Sequence, residues 1–266
     1  METMTEGRAG DTSPRLKALM VLVLILLAAG YLRFTGLNWD EGQYIHPDEG
    51  HMRNTVSLIS WPDDLSGYFD THRSPLNVRN IGGRRYSYGT LPLFIVRGAG
   101  EWLDQACTDA PAPPSRAVAR VLIGPAVENC TPGAFTGGYN AVVGRALSAL
   151  ADLGTLIFVY LIGRRLYGEA TGLLAAGLGA VTAFLIQQAH FFTVDSLACF
   201  LTMSVAYFSV RASQTGAWAD FAAAGLGVGL AAACKGSAAT SALLVALGGV
   251  SYVIGHVPGA RGERSA

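Results

Sequence analysis

From Ala141 to Ile254 the chain is nearly continuous membrane sequence, and this constrains it more than any other feature. Apolar runs occupy Ala141–Ile162, Thr171–Gln188, Ser196–Val210, Ala219–Cys234 and Ser237–Ile254, and most of the charges between them fall in the short links. A bilayer offers no water to backbone N–H and C=O groups, so a run of this kind satisfies them internally by forming a helix. An earlier apolar run, Ala18–Leu32, follows Arg15 and Lys17. It is shorter than the ~20 residues of a typical span. Leu16, Phe34 and Leu37 extend it if Arg33 snorkels to the interface. A cleaved leader ending near Ala28-Ala29-Gly30 is the competing reading. The spans further on make an anchor the more natural one. The expectation is an all-α integral membrane protein of about six transmembrane helices.

Composition agrees. Only 14% of residues are charged, against roughly 25% in a soluble domain, and the 19 basic residues are matched by 19 acidic ones. That balance speaks against a nucleic-acid partner, which needs a basic surface. Small residues dominate the later spans, as in Ala222–Gly229, and let helix backbones approach closely. Cys234-Lys235-Gly236 reads as a tight turn between two helices. With the N-terminus inside, Arg15, Lys17, Arg164, Arg165, Arg211, Arg261 and Arg264 are all cytoplasmic, consistent with the positive-inside rule. The expected organisation is a disordered cytoplasmic tail (1–17), a first span (18–34), an extracytoplasmic loop (35–140), a five-helix bundle (141–256) and a cytoplasmic tail (257–266).

The loop holds half of the charges and most of the prolines. His51–Ile59 and Leu91–Leu103 are amphipathic enough to lie at the interface, and Ala110–Pro114 is a Pro-rich connection. The four cysteines match no zinc spacing. Cys107 and Cys130 can pair if the loop is extracytoplasmic, although spacing alone does not decide it. Cys199 and Cys234 read as small buried hydrophobes.

Four groups of residues can carry chemistry. The loop opens with two acidic pairs, Asp40-Glu41 and Asp48-Glu49, and two histidines, His46 and His51. Carboxylates at a membrane surface serve as general bases or metal ligands. The plainer alternative is a solvated acidic loop. His190 to Asp195 forms an outer link whose ends cannot share a helix face, so a turn is expected there. Lys235 stands at an outer turn, where a cation meets an anionic head group or simply reaches water. Arg145 and Asp152 lie inside a span, where charge is costly and faces a bundle interior or a cavity; a contact between them is conceivable but long.

With these residues in view, the sequence resembles the GT-C membrane glycosyltransferases, closest to the protein mannosyltransferase and aminoarabinose transferase superfamily. The matching pieces are His46-Pro-Asp-Glu49, Tyr88-Gly-Thr-Leu-Pro-Leu93, Gly144–Leu150, Tyr160–Gly168, His190-Phe-Phe-Thr-Val-Asp195 and Gly229–Lys235. Their order against the spans makes the set more specific than any one of them.

The resemblance covers the chain from Leu32 onward but only the N-terminal half of a typical member. It therefore raises the expectation of a fragment, a split gene or a short homologue, with a partner chain supplying further helices. It implies transfer of a hexosyl or pentosyl group, with inversion, from a polyprenyl-phosphate donor to an extracytoplasmic protein or glycan acceptor. By position Asp48 corresponds to the catalytic Asp, with Glu49 beside it and Asp40 as the fallback. Arg145 and Lys235 are candidate phosphate contacts, and His190 and Asp195 further substrate contacts. Some members use a divalent metal and others none; His46, His51, His190 and Asp195 are the possible ligands here. The competing functions are an incomplete transferase half and a non-enzymatic transporter or scaffold. No internal repeat is evident, and the polar groups gather at the outer surface, which favours chemistry on a lipid-linked substrate over transport.

Overall fold

The computed structural model describes residues 12–81, 86–108 and 113–256, and among them every regular element is helical. In chain order the helices are α1 (Thr12–Phe34), α2 (Pro47–Val56), α3 (Leu65–Phe69), α4 (Leu91–Asp104), α5 (Ser115–Ile123), α6 (Asn140–Tyr167), α7 (Glu169–Val181), α8 (Ala183–Ala189), α9 (Asp195–Thr215), α10 (Trp218–Cys234) and α11 (Ala242–His256). Both terminal tails lie mostly or wholly outside the described residues, as does most of the Pro-rich connection.

The chain is an all-α membrane protein. Four helical stretches are long and apolar enough to cross a bilayer: Arg15–Phe34, α6, α9, and Gly236–Gly255, which combines a 3-10 turn with most of α11. The run expected at Thr171–Gln188 is instead two helices, α7 and α8, bent by 62°, a pair that is apolar and long enough in sum for a broken span or a re-entrant loop. α10 is apolar but only 17 residues long. α9 is central, packed on α6, α10 and α11, while α6 also carries α7 and α1. The α6–α7 contact rests on glycine: a Cβ on Gly172 would lie 2.6 Å from the Tyr160 carbonyl, and one on Gly163 2.9 Å from Gly172 Cα.

The α7–α8 break explains the charges inside the bundle. At Thr182 the backbone turns extended, which ends the helical ladder and leaves the last carbonyls of α7 under-satisfied, with Gly179 O accepting only a 3.3 Å bond from Thr182 N. Arg33 supplies them, donating to Ala180 O at 2.9 Å and Gly179 O at 3.2 Å. Its Nε meets Asp152 Oδ2 at 2.5 Å. The guanidinium is fully buried, so Arg33 does not snorkel to the interface. Asp152 pairs with Arg33 rather than Arg145: residues seven apart on one helix are separated by roughly 10 Å along its axis, whereas α1 crosses beside it.

The first loop is a folded layer with its own apolar core, including Met52, Val56, Leu93, Val96, Phe135 and Phe192. Both amphipathic segments are helical, as α2 and α4. α4 packs on α2, α5 and α6, and also touches α10. Cys107 and Cys130 form a disulfide that ties the end of the α4 segment to the turn after α5. Nearby, Asp104 accepts from Phe135 N at 2.7 Å and from Thr136 Oγ1 at 2.9 Å, fixing the approach to α6.

Candidate active site

Two charged clusters flank the start of α2. The first is buried and centred on Arg145. Its Nε donates to Glu49 Oε1 (2.7 Å) and its Nη2 to Glu49 Oε2 (2.6 Å). Nη1 and Nη2 also reach Asp40 Oδ1 (2.9 Å) and Oδ2 (2.7 Å), and Nη1 reaches Leu37 O (2.8 Å). All three charged side chains are inaccessible to solvent. One cation facing two carboxylates leaves excess negative charge, which backbone donors offset. Phe192 N binds Glu49 at 2.8 Å, while Tyr44 N and Gly42 N bind Asp40 at 2.9 and 3.3 Å. To wrap Asp40 in this way the chain holds Glu41 and Tyr44 at positive φ, a strained backbone for side-chain-bearing residues. Burial alone pushes the Asp40 carboxyl up, but the Arg145 hydrogen bonds and charge outweigh it and hold it below its ordinary value.

The second cluster is half-open. α2 starts at Pro47, whose missing N–H costs nothing at that position, with His46 as N-cap. Asp48 therefore sits in the first turn of α2, where the helix dipole favours a negative charge; His46, not Asp48, holds the cap position. Consecutive helical residues point about 100° apart. Glu49 faces the Arg145 hub, and Asp48 faces Tyr88, whose phenol donates to its carboxylate. Desolvation, this hydrogen bond and the Asp48 charge all hold the Tyr88 proton on. On the far side Lys235 Nζ bonds Asp195 Oδ1 at 2.6 Å, with both side chains partly exposed. The hydrogen bond to Asp195 raises the Lys235 ammonium against a smaller desolvation effect, and the charges of Asp195 and Asp48 add to it.

Backbone docking brings the loop to Lys235. Gly89 N donates to Cys234 O at 2.9 Å, and a Cβ on Gly89 would lie 1.9 Å from the Ala233 carbonyl. Only glycine permits that approach, and it puts Tyr88 beside Lys235. α10 ends at Cys234, and α9 begins at Asp195 after the turn expected there.

Residues 134–262 match the family model described as dolichyl-phosphate-mannose-protein mannosyltransferase. Across that stretch the chain is GT-C mannosyltransferase-like. No curated protein and no solved structure matches. The matched stretch contains α6 to α11, and with them Arg145, His190, Asp195 and Lys235, but not the first-loop acidic pairs.

The residues singled out from sequence fall into two groups. Asp48, Asp195 and Lys235 come together. Asp40, Glu49 and Arg145 also come together, but bonded to one another, with all five Arg145 N–H groups directed at protein oxygens. His190 bonds the carbonyls of Ile186 (2.8 Å) and Thr35 (2.9 Å), joining α8 to the end of α1. The four possible metal ligands do not converge. His46 lies against Phe191, His51 stacks on Tyr86, and among the described residues no three His, Cys, Asp or Glu side chains are arranged to hold a metal ion. Tyr88 received no role from sequence, although it opens one of the matching pieces; an aromatic hydroxyl next to a glycine in a polar loop was its signal.

Proposed function

We propose that this chain transfers a sugar from a polyprenyl-phosphate donor to an acceptor hydroxyl on the extracytoplasmic side, with inversion. Asp48 takes the proton of the acceptor hydroxyl as its oxygen bonds to the anomeric carbon. The bond from that carbon to the phosphate oxygen breaks, and the electron pair leaves with the lipid phosphate. Lys235 neutralises the charge that develops there, the kind of contribution a fixed cation makes to a departing anion. Tyr88 orients Asp48, Asp195 orients Lys235, and Glu49 positions the helix that carries Asp48. The observation that carries this reading is the contrast between neighbours: Glu49 is saturated by Arg145, while Asp48 is open beside a tyrosine and a lysine.

The test is transfer by membranes holding equal amounts of wild type and Asp48→Asn, offered several polyprenyl-phosphate sugars. A general base contributes roughly 10²–10⁴ in rate, so the variant should lose at least a hundredfold while inserting and folding normally. Near-normal transfer by Asp48→Asn rules the assignment out.

A further inference from the structure

A groove of about 460 Å³ opens directly beside the candidate site, and Tyr88 is shared by both. Tyr68, Phe69, Thr71, Arg79 and Tyr86 are among its other lining residues. All come from the first loop, so the groove belongs to the layer outside the spanning helices. We propose that it binds the acceptor, and that the acceptor is a carbohydrate of more than one sugar ring. This deepens the glycosyltransferase reading and rests on it for the word acceptor.

Three observations lead there. The first is placement. A polyprenyl tail must stay among apolar helices, so a groove built wholly from loop residues suits the other substrate, whose hydroxyl must reach Asp48. The second is the lining. Tyr68 and Phe69 stand edge to face with centroids 5.0 Å apart, and Tyr86 and Tyr88 do the same at 5.9 Å. His51 stacks on one face of Tyr86, but Tyr68 and Phe69 are 46% and 71% exposed and offer their rings to solvent. Sugar rings present flat C–H faces that stack on aromatic rings, and hydroxyls that bond to Tyr and Thr oxygens. The third is charge. Among the described lining residues Arg79 carries the only charge, and it pairs with no carboxylate among the described residues. A neutral or acidic glycan fits this lining and a basic one does not. The volume falls within the range of small-ligand sites and exceeds the needs of one sugar ring.

The test measures binding without turnover. The full chain in detergent is titrated with mannotriose, maltotriose, galactotriose and a Ser/Thr-rich peptide, followed by saturation-transfer NMR. Wild type is compared with a Tyr68→Ala/Phe69→Ala double variant. These side chains are exposed, and unchanged thermal unfolding verifies that the variant is folded. At least one trisaccharide should bind wild type, and the double variant should bind it about tenfold more weakly. The inference is overturned by no trisaccharide binding, by equal binding to both proteins, or by peptide binding that the double variant loses instead. If a trisaccharide binds through these rings but no polyprenyl-phosphate sugar is transferred to any acceptor, the carbohydrate groove stands and the transferase reading falls.

Discussion

The Arg145 guanidinium and the Glu49 carboxylate meet through two parallel hydrogen bonds, at 2.7 and 2.6 Å, with neither side chain reached by solvent. They come from α6 and α2, 96 residues apart, and the contact fixes the first turn of α2 against the bundle. Removing one partner of a buried pair leaves the other uncompensated, at a cost of about 3–5 kcal/mol. Glu49→Gln should therefore destabilise the protein by about 3 kcal/mol, somewhat less than the full range because Asp40 still faces Arg145. Thermal unfolding in detergent measures it. Arg145→Lys should also be damaging, since one ammonium cannot serve two bidentate carboxylates. Unchanged unfolding temperatures in both variants would show that this hub does not hold α2.

Gly89→Ala tests how the open cluster is assembled. Its Cβ would meet backbone of α10 at 1.9 Å, and no side-chain rotation relieves that. The loop must lift away from Cys234, separating Tyr88 from Lys235. Transfer should fall by more than tenfold while the spanning helices remain intact. Circular dichroism of the purified variant, read beside its activity, separates this outcome from general misfolding.

The Lys235–Asp195 pair makes a pH prediction. Lys235 is raised in the folded protein above its ordinary 10.5, first by the hydrogen bond to Asp195. A raised group keeps its contribution in full below the ordinary value and loses it as pH rises through the folded one. Donor KM in wild type should therefore be insensitive to Lys235 deprotonation through mildly alkaline conditions. Asp195→Asn removes the leading cause of the shift, so the alkaline rise in donor KM should begin at lower pH in that variant. Superimposable profiles would argue that Asp195 does not maintain the Lys235 charge.

Orientation is tested by labelling. With Arg164, Arg165 and Arg211 cytoplasmic, Ser87→Cys should react with an impermeant thiol reagent in intact cells and Ala170→Cys should not. Both positions are exposed, so accessibility within the fold does not confound the comparison. The reverse pattern would put the open cluster on the cytoplasmic face.

Where the helices lie was legible in the sequence, because burying backbone in lipid demands long apolar runs, and these can be read one after another along the chain. The start of α2 was nearly legible too, since Pro47 suits a first helical position. The α7–α8 break was not, because Thr182 looks like any β-branched residue in an apolar run, and the bend depends on Arg33 arriving from another helix to serve the freed carbonyls.

Charge pairing shows the limit most clearly. Sequence by itself determined that Arg145 and Asp152 would be costly, because both lie inside an apolar span; it read Arg33 as snorkelling and left Asp40 and the Asp48-Glu49 pair between a reactive site and a solvated loop. Tertiary structure alone decided which of them were spent on each other. Helix spacing puts Arg145 and Asp152 on one face yet too far apart to bond, so each found a partner from a different segment: Asp40 and Glu49 for Arg145, and Arg33 for Asp152. A buried charge takes the opposite charge that folding brings within about 3 Å. The one-residue step from Glu49 to Asp48 then turns the neighbouring carboxylate to Tyr88 and Lys235.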